Sequence, residues 1–265
     1  LAGATAAEAT LPRAHMIANV PWHQQINGLD CGAASLEIVF DYWGPDIGQK
    51  EICNVARQSS MGIWTPDIVR AGQFSYLSDA QGSFFPNIGP YGGYKGRSLG
   101  YAAFSHTSPA PCPWLNELKA LIANDIPVIV LMKYYPLGGA GHYRMVIGYD
   151  DDQQLIYFSD PWGRDLNHLT DWTGVISWKY SDFQMGWNYS EYGAPNPYFG
   201  AAIMPWSVDL TVKGKTTSGS VIKVTACIKY QCPKPFDNTQ YPAENAHAHI
   251  TLPEGTTLLG SSTIS

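Results

Sequence analysis

The spacing of apolar residues after Asp30 predicts an amphipathic helix. Four apolar side chains recur at the i, i+3, i+4 and i+7 positions of one helical face: Leu36, Val39, Phe40 and Trp43. The pair Gly44-Pro45 marks the end of this helix. Cys31 therefore lies at the N-terminus of the predicted helix.

Three other segments have helical patterns. Helices are predicted over Gly48 to Gln58 and over Trp114 to Asn124. The sequence Thr65-Pro66-Asp67 predicts the start of another, with Thr65 as the N-cap, a proline at the first helical position and an acid in the first turn. The helices before residue 74 are expected to pack together as a helical half of the fold.

Runs of β-branched and alternating apolar residues in the middle of the chain predict strands. They are Ile126 to Met132, Tyr143 to Tyr149, Gln154 to Asp160 and Tyr198 to Met204. The acidic turn Asp150-Asp151-Asp152-Gln153 joins the second and third of them as a hairpin. Residues 74–113 are rich in Gly, Pro, Ser and Tyr and predict a long irregular surface segment. Helices followed by an antiparallel sheet indicate an α+β fold.

The character of the chain changes after Pro205. Three short runs there predict strands without a helix: Val208 to Val212, Val221 to Tyr230 and Ala246 to Leu252. We interpret the chain as an N-terminal extension (1–17), an α+β domain (18–205) and a short all-β, sandwich-like segment (206–265) that is small for a complete sandwich.

Composition excludes two classes of partner. Only 14% of the 265 residues are charged and the net charge is −6, so the chain lacks the basic surface that nucleic acid binding requires. The longest apolar run, Ile126 to Met132, has the length of a buried strand, so no membrane span is predicted. With 45% hydrophobic residues, the chain is expected to form a packed core.

The five cysteines divide into two pairs and a single residue. Cys53 and Cys112 are interpreted as a disulfide or two buried thiols. Cys227 and Cys232 are expected to form a disulfide, with a metal site shared with His247 and His249 as the alternative. The single residue is Cys31, and this pattern, together with low lysine content and many aromatic residues, is typical of a secreted or cell-surface thiol enzyme.

The position of Cys31 favours a nucleophilic role. The partial positive charge of a helix N-terminus stabilises the thiolate, which is the reactive form of cysteine. Gln25 lies six residues upstream, where its side-chain amide and the backbone N–H of Cys31 together can stabilise an oxyanion. Gln24 is the alternative donor.

His142 and Asp160 are the expected partners of this thiol. His142 follows the glycine-rich sequence Gly138-Gly139-Ala140-Gly141 at the start of a predicted strand. If the hairpin turns about Asp151, Met145 lies opposite Tyr157 and His142 lies opposite Asp160. Asp160 can then orient the imidazole while the second ring nitrogen faces the cysteine, the arrangement of acyl-transfer enzymes.

These residues resemble those of the papain-like cysteine peptidases, and among them the bacteriocin-processing (double-glycine leader) peptidases and their secreted relatives. The resemblance covers roughly residues 18–205. It rests on Val20-Pro21 with Gln25, on Asp30-Cys31-Gly32-Ala33-Ala34, on the strand Gly141 to Asp150, and on Asp160-Pro161. It implies a helical lobe packed on an antiparallel sheet, with catalysis in the cleft between them.

The expected function is hydrolysis of peptide bonds in a peptide or protein substrate through a thioester on Cys31, without a cofactor. His142 is the expected general base, Asp160 its orienting partner, and Gln25 the oxyanion donor. Two alternatives remain open at this point. One is acyl transfer to an amine by the same chemistry, and the other is a surface binding module that keeps the fold without turnover.

Overall fold

The computed structural model describes residues 11–44, 46–75, 78, 101–106, 115–163, 174–191, 197–205, 207–215, 217–229 and 254–259. Within these ranges the helices are α1 (Cys31–Trp43), α2 (Gln49–Val55), α3 (Thr65–Phe74), α4 (Leu115–Ile122) and α5 (Tyr180–Trp187). The strands are β1 (Ala14–Met16), β2 (Tyr101–His106), β3 (Val128–Tyr135), β4 (Gly138–Asp150), β5 (Leu155–Ser159), β6 (Val175–Lys179), β7 (Gly200–Pro205), β8 (Ser207–Gly214) and β9 (Ile222–Lys229). No helix in the described ranges has the length and apolar character needed to cross a bilayer.

Helix α1 is the central helix of the structure. Every residue from Gly32 to Trp43 except Glu37 is buried, so the helix is covered on nearly all sides. It ends where Gly44 adopts a φ of 138°, and the Gly44 N–H donates to the carbonyl of Phe40. At the same end, the Trp43 indole Nε1 donates to the carbonyl of Ile203 in β7 at 2.7 Å, which attaches the helix to the sheet.

The strands of the α+β domain form one antiparallel sheet. Its order is β2-β7-β3-β4-β5-β6, and β1 pairs with the C-terminal end of β4, from Gly148 to Asp150. Strand β3 lies at the centre and is buried from Val128 to Met132, while β4 is the longest strand and carries contacts with α1. The predicted helical layer on an antiparallel sheet is therefore confirmed.

The register of the β4 and β5 hairpin differs from the sequence prediction. Met145 lies opposite Ser159 rather than Tyr157, and Ile147 is an extra residue in a bulge of β4. The prediction that His142 lies directly opposite Asp160 is thus wrong, because the turn is centred between Asp152 and Gln153 and not on Asp151. This moves the pairing by three residues, and the bulge at Ile147 recovers one of them.

Several elements were not predicted. Strand β2 lies within the segment expected to be irregular and pairs with β7, and β1 joins part of the N-terminal extension to the sheet. Helix α5 has the sequence YSDFQMGW, whose aromatic residues and glycine are weak helix formers. Its stability comes instead from burial of Phe183 and Trp187.

The start of α3 also differs by one residue from the prediction. Trp64, not Thr65, occupies the N-cap position, and Pro66 follows in the first turn. The backbone N–H and hydroxyl of Thr65 donate to the carboxylate of Glu191, at 3.0 and 2.6 Å. A distant carboxylate therefore takes the place of the local cap that the sequence predicted.

The segment after Pro205 forms a two-stranded ribbon, β8 with β9, over the described residues. The predicted strand Ala246 to Leu252 lies outside them, as do Cys112, Cys232, His247 and His249. Among the described residues Cys53 and Cys227 are free thiols, which contradicts the expected disulfide of Cys227 and, for Cys53, the disulfide of the two alternatives. The sandwich remains a prediction.

We expect Trp43→Phe to reduce the free energy of unfolding by about 1–3 kcal/mol, because it removes the indole N–H and leaves the buried carbonyl of Ile203 without this donor. Urea unfolding measures the change. The control is Met61→Ala at a side chain that is 76% exposed, expected to change stability by less than about 0.5 kcal/mol. Equal losses in both variants would contradict the attachment of α1 through Trp43.

Candidate active site

Cys31 is the first residue of α1, and its local structure leaves the helix N-terminus open. Asp30 precedes it, but its side chain does not cap the helix. Instead, the Asp30 carboxylate accepts from Asn27 Nδ2 at 2.6 Å and from Gln58 Nε2 at 2.5 Å, which fixes the loop before the helix. The N–H groups of the first turn have no side-chain cap, so their partial positive charge favours a thiolate at the partly buried Cys31.

A glycine lets α1 approach β4 at this point. A Cβ on Gly32 would lie 3.1 to 3.2 Å from side-chain atoms of Ile63, Ile68 and Tyr143. Any larger residue would push the helix away from the strand. The close packing places the Cys31 sulfur within hydrogen-bonding reach of the imidazole of His142 and of the backbone N–H groups of Tyr143 and Gly32.

These contacts shift the ionisation of both partners. Burial alone would raise the pKa of Cys31, but the hydrogen bond and charge of His142, together with the backbone N–H groups, lower it below its ordinary value. Burial alone would lower the pKa of His142, but Asp160 and the bond to Cys31 raise it. The thiolate and imidazolium therefore stabilise each other.

His142 is held by a second hydrogen bond on its far side. Its Nε2 lies 2.9 Å from Oδ1 of Asp160, which leaves Nδ1 as the ring nitrogen that faces Cys31. The ring is 5% exposed and packs edge-on against Tyr134, with centroids 5.2 Å apart. The contact between His142 and Asp160 that the sequence predicted is present, although the register that led to it was wrong.

Asp160 is fully buried immediately after β5, and each of its carboxylate oxygens has a donor. Oδ1 accepts from His142 and from the backbone N–H of Trp162 at 2.7 Å, and Oδ2 accepts from Arg144 Nε at 2.7 Å. Burial would raise the pKa of Asp160, but the charges of Arg144 and His142 hold it well below its usual range. Asp160 is therefore an ionised acceptor.

Arg144 is a member of the site that the sequence reasoning missed. It occupies β4 two residues after His142, on the same face of the strand, and Met145 pairs with Ser159 next to Asp160. Because of this placement, the Asp160 carboxylate reaches both His142 and Arg144. The sequence feature that indicates its role is a charged residue inside an otherwise apolar strand, because a buried charge is destabilising unless it has a partner.

The backbone of Asp160 is attached to residues from two other parts of the chain. Trp22 Nε1 donates to its carbonyl at 2.8 Å, and its own N–H donates to the carbonyl of Gly174 at 2.7 Å. Gly174 has a φ of +78°, and a Cβ there would lie 2.3 Å from the Trp22 ring. Only glycine fits between the indole and this backbone.

Gln25 lies beside the same turn. Its side chain is 5% exposed, and its backbone N–H donates to the carbonyl of Pro161 at 2.9 Å. Its amide Nε2 donates to the carbonyl of Asn27 at 2.7 Å, while Oε1 is buried without a hydrogen-bond partner among the described residues. Gln24, the alternative donor, is exposed.

A second buried polar cluster holds this segment against α1. Gln49 donates to the carbonyl of Gln24 at 3.0 Å and to Glu37 at 2.7 Å, and accepts from the N–H of Ile26 at 3.1 Å. His23 Nε2 lies 2.5 Å from Oδ2 of Asp41. The backbone on both sides of Gln25 is therefore tied to the helix that begins at Cys31.

In the part of the chain that is described, no group of three or more acidic, His or Cys side chains is arranged to hold a metal ion.

Comparison with known proteins identifies similar peptidases. A model of the Peptidase_C39 like family matches residues 17–194. The peptidase domain of Streptococcus ComA, a bifunctional ABC transporter involved in quorum sensing, is 16% identical, with 71% of this chain and 99% of that chain covered and a TM-score of 0.44. Xylellain, a cysteine protease from Xylella fastidiosa, is 13% identical, with coverage of 74% and 87% and a TM-score of 0.47.

A third solved structure is a double glycine motif protease from the AMS/PCAT transporter in complex with the leader peptide. It is 14% identical, with 72% of this chain and 94% of that chain covered and a TM-score of 0.42. No match to the sequence was found among curated proteins.

The depressed pKa of Asp160 predicts how stability depends on pH. Its ionised form contributes stability that is fully present above the ordinary carboxyl pKa of about 3.9 and is lost as the pH falls toward the folded value. We expect Asp160→Asn to cost about 3–5 kcal/mol at pH 6, because it leaves Arg144 buried without its counterion.

Urea unfolding between pH 2 and pH 7 tests this expectation. The difference between wild type and Asp160→Asn should shrink as the pH falls below about 4, where the Asp160 carboxyl becomes protonated in the unfolded chain, and above that pH it also follows the His142 ring, whose pKa Asp160 raises. Asp152→Asn is the control, since Asp152 is an exposed carboxylate in a surface ion pair with Arg13 and is expected to contribute little. A difference that does not change between pH 4 and pH 2 would show that the Asp160 carboxylate is not ionised in the folded protein.

Proposed function

Because the chain belongs to the Peptidase_C39 like family and is a cysteine peptidase, we propose that it hydrolyses peptide bonds with Cys31 as the nucleophile, His142 as the general acid and base, and Asp160 as the orienting group. This agrees with the resemblance inferred from the sequence. The observation that carries the proposal is the buried His142 ring, which is hydrogen-bonded to the Asp160 carboxylate on one side and lies close enough to Cys31 on the other to lower the pKa of the thiol.

The reaction follows from the charges of this series. The Cys31 thiolate attacks the carbonyl carbon of the substrate, and the C–N bond breaks as the imidazolium of His142 gives its proton to the leaving amine. A thioester and a neutral His142 remain. His142 then takes a proton from water, which attacks the thioester, and the acid product leaves as the thiolate and imidazolium form again.

The oxyanion of each tetrahedral intermediate requires donors beside Cys31. Gln25 is suited to this role because its side-chain NH₂ has two hydrogens, and the carbonyl of Asn27 takes only one of them. The backbone N–H of Cys31 is the proposed second donor. The hydrogen bonds of Gln25 and Gln49 fix the amide before substrate arrives, so little reorganisation accompanies the reaction.

The first test is the pH dependence of iodoacetamide alkylation at Cys31, located by mass spectrometry. We expect rapid labelling near pH 6, well below the pKa of about 8.5 of a free thiol, because His142 stabilises the thiolate. His142→Ala should abolish this rapid phase.

Cys53 provides a control within the same molecule. Burial and the nearby Asp30 carboxylate raise its pKa to about 11, so it should label slowly at the same pH in both proteins. If Cys31 labels as slowly as Cys53, or equally fast without His142, the proposed nucleophile and base are wrong.

A second test compares Gln25→Ala with Gln24→Ala. Loss of an oxyanion donor is expected to reduce kcat by roughly 10²- to 10³-fold in Gln25→Ala, measured on a fluorogenic peptide selected from a library. Gln24→Ala removes a neighbouring exposed amide and should keep wild-type activity. A larger loss in Gln24→Ala would transfer the role to that residue.

The same substrate separates hydrolysis from acyl transfer. Both reactions pass through the Cys31 thioester, and they differ in whether water or an amine attacks it. Products are analysed by mass spectrometry with glycinamide added at increasing concentration. The free acid is expected throughout, whereas a dominant amide product at low glycinamide would assign the chain to transfer.

A further inference from the structure

The surroundings of Arg144 are unusual for a charged side chain. It is fully buried in the middle of β4, and its guanidinium donates to Asp160 Oδ2 at 2.7 Å, to the carbonyl of Lys133 at 3.2 Å and to that of Tyr134 at 3.0 Å. It also lies 4.8 Å from the ring centroid of Trp178. The group is thus fixed on every side by donors, acceptors and aromatic surface.

The backbone of β3 is shaped to receive this guanidinium. The pairing of β3 with β4 shifts register between Lys133 and Tyr135, and Tyr134 lies at this irregularity. Its carbonyl accepts from Arg144. The irregular end of β3, next to the residue that pairs with His142, therefore supplies the guanidinium with carbonyl acceptors. The ring of Tyr134 also packs against the His142 ring.

We propose that Arg144 is a positioning residue of the catalytic centre, whose guanidinium holds Asp160 as an ionised acceptor of fixed orientation while His142 releases and recovers its proton. The inference rests on the triad of the proposed function and adds a fourth member to it. Arg144 acts through Asp160 and has no contact with the Cys31 thiol among the interactions of the described residues.

The need for such a residue arises during turnover. After His142 has protonated the leaving amine, the ring is neutral, and Asp160 would then be a buried carboxylate without a cation. An unpaired carboxylate in this position would keep the proton on His142. Arg144 provides a permanent counterion, so the proton can leave the ring without leaving Asp160 uncompensated.

Arg144 also opposes Asp160 in its effect on the imidazole. The charged groups that act on His142 are Asp160, Arg144 and Cys31. Asp160 raises the pKa of His142, and Arg144 lowers it. Replacing Arg144 with a neutral residue should therefore raise the pH at which His142 loses its proton.

The test is a ¹⁵N NMR titration of the His142 ring in the full chain, in a Cys31→Ala background that removes coupling to the thiol. Arg144→Met is expected to raise the His142 midpoint by about one pH unit or more. Arg144→Lys keeps the charge and should return the midpoint toward that of the Cys31→Ala parent. Arg70→Met is the control, because Arg70 also bonds a backbone carbonyl and lies over an aromatic ring, but on α3.

A folded Arg144→Met with an unchanged midpoint would overturn the inference and leave Arg144 a structural residue.

If Arg144→Met does not fold, the Asp160 carboxyl in the Arg144-containing parent is followed by ¹³C NMR. It should remain ionised while His142 titrates, and uptake of a proton by Asp160 as His142 becomes neutral would also overturn the inference. Neither measurement needs turnover. A midpoint shift in the Cys31→Ala background, combined with a wild-type protein whose Cys31 reacts as an ordinary thiol, would refute the proposed peptidase mechanism and retain the effect of Arg144 on His142.

Discussion

The arrangement of the site depends on one buried carboxylate, that of Asp160. Its two oxygens accept from His142 and Trp162 on one side and from Arg144 on the other, and its backbone is held by Trp22 and Gly174. A carboxylate this far from water persists only when its charge is compensated and its lone pairs are used. The turn after β5 therefore has one stable arrangement, and that arrangement directs Oδ1 at the imidazole.

The same turn connects the two layers of the fold. The segment that carries Trp22 and Gln25 is hydrogen-bonded to Asp160 and Pro161 on the sheet side, and Gln49 ties it to Glu37 on α1. Cys31 lies at the start of that helix, and its distance from β4 is set by the contact at Gly32. Cys31, His142 and Gln25, the residues of the proposed mechanism, are therefore positioned by the buried polar contacts of this turn together with the close packing at Gly32.

The sequence predicted the elements that have a strong periodic pattern and, with the exception of Arg144, the main polar residues that the site brings together. The helix from Cys31 to Trp43 was predictable because its apolar residues repeat at helical spacing. The strand register was not predictable, since neither the exact centre of the turn after β4 nor the bulge at Ile147 is determined by the local sequence. The contact of His142 with Asp160 survived the error because His142 and Arg144 share a face of β4, so the carboxylate reaches both. Helix α5 and strand β2 were missed because tertiary contacts, rather than local pattern, stabilise them.

The charges of the site also link its stability to its chemistry. In the proposed resting state, Cys31 is a thiolate and His142 an imidazolium beside the Asp160 carboxylate and the Arg144 guanidinium, so the group contains two positive and two negative charges and is neutral overall. Burying this set is favourable only as a whole, because removal of any one member leaves an uncompensated charge in a medium of low polarity. In the proposed reaction, the transfer of the His142 proton to the leaving amine produces a neutral thioester, so the negative charge that began on the thiolate and the positive charge of the imidazolium disappear together, and the remaining carboxylate and guanidinium still balance. The fold thus keeps the buried charge near zero at both stages of the reaction, and it does so through an arginine that need not touch the substrate.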